Sequence, residues 1–293
     1  MQRRIIANKE TNAEQILRKT VPNSAHSKYS IIMNSENHPR LNAINNILAH
    51  RKKLWVTGTI DDVKMGDYFM YCKEYKSKKV LQYGMRDPNI YDFLDEQTRW
   101  GWSCGLEMPI HIEANGKHFL FGDNHNLALP FVAEMINTGI TKIESTMVHI
   151  DAHSDHDKNK DFNIGLYLKL TKNEKLQYVY RKAAIGSWIQ PLLNQGYINN
   201  EIYRFFNSYD NLANYKDVHY NITDIDIDVL AELLFVNNMD IESAAVAKKV
   251  SEIIDIASHS KIVMLFTSPC YINQKHAIQL GKKIFNGILE KSQ

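Results

Sequence analysis

FGDNHNLALPFVAEMINTGITKIESTMVHIDAHSD, residues 121–155, decides the reading of this chain. It carries His125 near its start and closes on Asp151, His153 and Asp155, at alternate positions straight after an apolar run. Side chains two apart in an extended chain point the same way, so these three can converge at the mouth of a sheet. A second stretch, ITDIDID at 222–228, repeats the device: Asp224, Asp226 and Asp228 alternate with Ile225 and Ile227, carboxylates on one face and isoleucines on the other. So many acidic and imidazole groups aimed at one point would repel one another or lie unsatisfied without a cation, because unpaired buried charge is costly. The chain therefore reads as a metal-dependent hydrolase.

Outward from this stretch the pattern alternates between strand and helix. IHIEANGKHFLFG, residues 110–122, is two strand-like runs about Asn115-Gly116, the dipeptide that supplies the positive φ of a tight hairpin turn. LALPFVAEMINTG then reads as a helix closed by Gly139, and residues 146–150 as a short apolar strand. Helices are predicted at 174–182, 187–195 and 200–206, a strand at 218–227, a long helix at 241–257, a strand at 261–266 and a terminal amphipathic helix at 274–289. The N-terminal third is a mixed region, with helices predicted at 12–18 and 41–48 and strands at 29–33 and 53–57. Residues 68–85 read as a hairpin or two short strands, and DFLDEQTRW from Asp92 as a helical turn. Strands separated by helices predict an α/β fold with a mostly parallel sheet covered on both faces. Ligands of such sheets sit beyond the carboxyl ends of the strands, where both acidic clusters and the Thr267-Ser268-Pro269 turn fall. One domain is expected over 1–293, with 1–105 as the mixed region and 106–293 as the metal-binding core.

The 35 basic and 33 acidic residues leave a net charge of +2, which argues against a nucleic-acid or membrane-surface protein. Short basic runs at 51–53 and 158–160 read as solvated surface. Cys72, Cys104 and Cys270 are widely spaced with no CxxC pair, so reduced thiols in a cytoplasmic protein are expected. No apolar signal-peptide core occupies the first residues, and no window is apolar enough to span a membrane. Oligomerisation is left open.

A carboxylate-rich site with a minority of imidazoles suits a hard divalent ion such as manganese, and this many acidic groups exceeds the needs of one four-coordinate zinc. GDNH, DAHSD and DIDID resemble, in order, the three metal-binding signatures of the arginase and agmatinase superfamily, G-G-D-H, D-A-H-x-D and D-x-D. The resemblance covers residues 109–285. It implies a three-layer α/β/α fold, two manganese ions, and ligands at His125, Asp151, His153, Asp155 and two of Asp224, Asp226 and Asp228. Asp226 belongs to either choice, and Asp228, nearer the strand end, is favoured over Asp224. Free-arginine enzymes of that superfamily carry an asparagine where this chain has Asp157, a late-strand glutamate where it has Phe266, Thr267 and Ser268, and a further histidine absent from YLKLTKNE. The chain is thus most similar to the arginase-like branch that includes peptide arginases, which convert arginine side chains within peptides to ornithine. A peptide or small guanidino substrate is implied, with Asp155 orienting the nucleophile and His156 or Asp157 contacting the guanidinium.

Three other readings compete. DIDIDVL also matches the start of a haloacid dehalogenase-type phosphatase, but too few residues come after Asp228 to complete that fold. A metal-dependent deacetylase or amidohydrolase on the related fold is the enzymatic alternative, and a non-catalytic peptide-binding scaffold the other. His149 reads as structural, and His111 and His118, taken singly, as surface or satisfied core residues.

Overall fold

A computed structural model of the chain describes residues 47–72, 91–94, 99–156, 162–183, 185–208, 210–269 and 271–292. Its strands are β1 (Val56–Thr57), β2 (Met65–Cys72), β3 (Tyr91–Leu94), β4 (Arg99–Leu106), β5 (Ile110–Ala114), β6 (Lys117–Gly122), β7 (Met147–Ile150), β8 (Arg204–Phe206), β9 (Ile222–Asp226) and β10 (Ile262–Phe266). Besides helical residues 47–50, its described α-helices are α1 (Ala128–Asn137), α2 (Ile164–Lys169), α3 (Lys172–Lys182), α4 (Ile189–Asn194), α5 (Ala231–Val236), α6 (Ala244–Ala257) and α7 (Gln274–Lys291). None is long and apolar enough to cross a membrane.

Asn115 and Gly116 take φ of 49° and 72°, left-handed values that these two residue types tolerate best, and fold β5 back on β6. That hairpin enters a seven-stranded sheet of order β1-β5-β6-β10-β9-β7-β8. The strands β6, β10, β9, β7 and β8 are mutually parallel, while β1 and β5 run the other way at one edge. The fold is α/β, with a mostly parallel sheet. A separate antiparallel sheet, β2-β4-β3, comes from the N-terminal third.

Period-two alternation sends apolar side chains to both faces. Leu120, Met147, Ile222 and Met264 pack against Phe131 of α1, Leu176 of α3 and Leu192 of α4. Phe119, Val148, Ile225 and Val263 pack on the other side against Val250 and Ile253 of α6 and Ile284 of α7. Each large side chain so buried contributes about 1.5–3 kcal/mol. The register aligns the strand ends: Gly122 of β6, Phe266 of β10 and Asp226 of β9 lie side by side, and Ile150 of β7 pairs with Ile225. The loops that leave these four strand ends meet at one rim.

Several expectations need correction. Residues 200–206 form a turn and then β8 rather than a helix, because aromatic Phe205 and Phe206 pair with β7 in the sheet. Of DFLDEQTRW, residues 92–94 lie in β3 and 99–100 in β4 rather than in a helical turn, and 95–98 lie outside the described residues. The strand expected at 218–227 shortens to β9, and the one at 53–57 to β1. Helix α2, capped by the Asn163 side chain on the Leu166 N–H, adds to the expected elements. The run at 51–53 is not wholly surface, since Arg51 is fully buried while Lys52 and Lys53 are exposed. The elements expected at 12–18 and 29–33, most of 41–48 and 73–85, the run at 158–160, and Asp157 and Cys270 lie outside the described residues.

Candidate metal centre

At the rim, three carboxylate oxygens surround one imidazole nitrogen. Asp151 Oδ2, Asp155 Oδ2 and Asp226 Oδ2 each lie 3.1 Å from His125 Nδ1. None of these contacts has hydrogen-bond geometry, and His125 Nδ1 and Asp151 Oδ2 are buried without a hydrogen-bond partner. Neighbouring ligands of an octahedral ion with bonds slightly over 2 Å stand about 3 Å apart. Each of the three oxygens therefore stands at the distance from His125 Nδ1 expected between neighbouring ligands of one ion.

A second group adjoins the first. His153 Nδ1 lies 3.2 Å from Asp228 Oδ2 and 3.4 Å from Asp151 Oδ1, so the two oxygens of Asp151 face the two histidines. Asp228 Oδ2 is likewise buried with no hydrogen-bond partner. His153 is the open member, its side chain 40% exposed.

The backbone reaches this arrangement by turning rather than by extending. After Ile150 the chain bends, and Asp155 adopts φ of 48°. Past Asp226 it enters a 3-10 turn over Ile227–Leu230, with the Asp226 side chain accepting the Asp228 N–H. Convergence of alternate residues on an extended strand is thus not what collects these ligands. Ser268, at φ of 37°, donates its hydroxyl to Asp226 Oδ2. Two non-glycine residues in the left-handed region at one rim mark backbone strain held by the site.

Asp224 has a different position from its neighbours. Its Oδ2 lies 2.7 Å from His125 Nε2 and 2.7 Å from His149 Nδ1, on the side of the His125 ring away from the carboxylate ring. His149 Nε2 in turn reaches the His153 carbonyl at 3.1 Å. This relay sets how both rings are held, the role that outer partners of metal-bound histidines play.

Charge balance in the cluster points the same way. Burial opposes the charged His125 ring, yet Asp224, Asp151 and Asp155 outweigh it and hold its pKa well above the ordinary value. For His153 the attraction of Asp151 and Asp228 outweighs burial and pushes the ring up to about 11. Burial, then the charges of Asp226 and Asp151, push Asp228 up to about 8. Burial followed by Asp151 also raises Asp226. Without a cation, the pocket must retain protons to offset its negative charge. The donor set of oxygens and a few imidazoles fits a hard divalent ion.

Comparison with known proteins adds little. No family model and no curated protein matches the chain. One solved structure, a proclavaminate amidino hydrolase from Streptomyces clavuligerus, aligns with 60% of this chain at 14% identity and a TM-score of 0.39. The alignment spans 64% of that protein's length. The chemistry of the centre therefore rests on its own residues.

Side chains outside the acidic motifs complete the site. Trp188, fully buried, donates its indole N–H to Asp155 Oδ2 at 2.9 Å and packs its ring 5.1 Å from that of His125. Tyr203 has a buried hydroxyl with no hydrogen-bond partner among the described residues. Burial, then Asp224, Asp155 and Asp151, raise its pKa, so it stays a protonated donor beside the centre. Its ring meets that of His156 at 5.0 Å, and burial followed by the charge of His149 lowers the His156 pKa. Asp123, two residues before His125, is bound by the buried Arg51. A tryptophan in a helical segment or an arginine in a basic run carries no local signal for such roles.

Proposed function

We propose that this chain is a hydrolase built on a pair of divalent metal ions, manganese foremost, that cleaves a C–N bond of a guanidinium group. The observation that carries this reading is the buried ring of Asp151, Asp155 and Asp226 oxygens at 3.1 Å from His125 Nδ1. His125, Asp151, Asp155 and Asp226 would hold one ion. His153 and Asp228, with Asp151, would hold the other. Asp224 then serves as the partner that orients His125 and His149 rather than as a ligand.

Ions held this way supply water activation and stabilise developing charge. Asp155, fixed by the Trp188 N–H, is placed to orient the attacking water and carry its proton to the leaving amine. His156, with its lowered pKa, is neutral at pH 7 and does not repel a cationic guanidinium. Water adds to the guanidinium carbon, the bond to the side-chain nitrogen breaks, and an ornithine-type amine and urea result.

A peptide substrate is favoured over free arginine. This chain has Asp157 where the free-arginine enzymes carry an asparagine that helps hold the α-carboxylate, and an arginine within a peptide has no free carboxylate to hold. This reading places the chain with the peptide-arginase-like branch of the arginase superfamily, acting in the cytoplasm without nucleic-acid or membrane partners.

The test is metal content of wild type and Asp226→Ala after manganese loading, then urea and ornithine release from an arginyl peptide and from free arginine. Two ions per chain in wild type, fewer in the variant, and urea released preferentially from the peptide are expected. Absence of specific metal from wild type would overturn the metal centre. Metal without urea, but with release of an acyl group from an acylated lysine, would replace this reading by the amidohydrolase one.

A further inference from the structure

The hairpin leading into the metal centre carries a second group of ligand-type side chains at its other end. His111 and Glu113 alternate along β5 and share a face, and His118 stands opposite Glu113 at the start of β6. His111 Nε2 lies 3.2 Å from His118 Nδ1, and Glu113 Oε1 lies 3.8 Å from that same nitrogen. All three ligand atoms fall within 4.8 Å of one another. Bonds of about 2.0–2.1 Å around a tetrahedral zinc place its ligand atoms roughly 3.3 Å apart. The imidazole pair already has this separation. Glu113, its side chain 64% exposed, needs only a rotation to join it.

We propose that His111, Glu113 and His118 form a second cation site, a two-histidine, one-carboxylate centre for a borderline ion of the zinc class. The three positions are set by strand register and a two-residue turn, so the ligands are held on rigid backbone. His111 is bedded in the core, its ring 5.2 Å from that of Phe131 and 5.4 Å from that of His118. Burial, with the nearby His118, lowers the His111 pKa, which keeps the ring in its neutral, ligand-competent form near pH 7. Lys117 does not compete for the place, because its ammonium bonds the carbonyls of Ser258 and Ser260 at 2.6 and 2.8 Å. The exposed side of Glu113 leaves room for a water as fourth ligand. Imidazole-rich here and carboxylate-rich at the rim, the two sites would sort ions by hardness.

Zinc titration of the chelator-treated protein by calorimetry, on wild type, His118→Ala and Glu113→Gln, tests the proposal. His118→Ala should bind one zinc fewer than wild type. Glu113→Gln should bind that same zinc at least roughly 10-fold more weakly. Manganese uptake at the other centre, unchanged in both variants, would show that they remain folded. Because Glu113 lies on the surface, its variant stands as a test even if His118→Ala folds poorly. Equal zinc stoichiometry and affinity in wild type and Glu113→Gln would overturn the site and leave a hydrogen-bonded imidazole pair.

Discussion

Arg51 and Asp123 form a fully buried ion pair that ties the start of the described chain to the loop bearing His125. Arg51 Nη1 also donates to Tyr180 Oη at 2.8 Å, and Nη2 to the Leu106 carbonyl at 2.9 Å. Asp123 further accepts the Leu106 N–H at 3.0 Å and the Asn124 N–H at 2.8 Å. The pair therefore joins four segments beneath the metal centre.

Removing one partner should expose the cost of the other. Asp123→Ala leaves Arg51 charged and buried, and is expected to lose about 3–5 kcal/mol in urea unfolding. Arg51→Met combined with Asp123→Leu should be less destabilised than Asp123→Ala alone, because no buried charge is left over. A single variant as stable as wild type would show that water reaches the pair.

Proton linkage gives a pH prediction. The raised pKa of His153, up to about 11 from 6.5, contributes stability that is full below pH 6.5 and lost as pH rises through 11. The raised pKa of Asp228, up to about 8 from 3.8, contributes stability that is full below pH 3.8 and lost as pH rises through 8. Both contributions therefore decline between pH 6.5 and 8. Chelator-treated protein should melt at progressively lower temperature across this window. Excess manganese should bind more tightly as pH rises and displace the retained protons, seen as buffer-dependent heats in calorimetry. A rising melting temperature in the chelated protein would contradict proton retention by His153 and Asp228.

Trp188→Phe deletes one hydrogen bond to Asp155 and keeps most of the ring against His125. A hydrogen bond to a charged group is worth about 1.5–3 kcal/mol, so occupancy or activity should fall roughly 10-fold or more. Manganese titration and single-turnover kinetics separate the two effects. Unchanged values in both would mean that Asp155 is held by other contacts.

Gly122 sets how closely β6 approaches β10. A Cβ at this position would meet Phe266 Cε1 at 2.3 Å and Cδ1 at 2.7 Å. Gly122→Ala must push the Phe266 ring, which packs 4.5 Å from that of His125, and should destabilise by about 1–3 kcal/mol. A fall in both melting temperature and metal affinity is expected, with the Phe266→Leu companion restoring part of each.

Local signals made the alternating α/β order, the Asn115-Gly116 hairpin and the grouping of His125, Asp151, His153, Asp155, Asp226 and Asp228 legible in the chain itself. Turn dipeptides, apolar periodicity and acidic spacing act over a few residues, so they survive without knowledge of the fold. Tertiary structure decided where the atoms of those residues lie. Whether Asp224 faces the cluster or the far nitrogen of His125 depends on a partner 99 residues away, and the hydrogen bonds of Arg51 to Asp123, Ser268 to Asp226 and Trp188 to Asp155 span 72, 42 and 33 residues. Likewise, His111 and His118 read singly as ordinary histidines and become a pair only through strand register. Contacts of that range have no local pattern, because sheet order and backbone turns, rather than neighbouring residues, bring their atoms together.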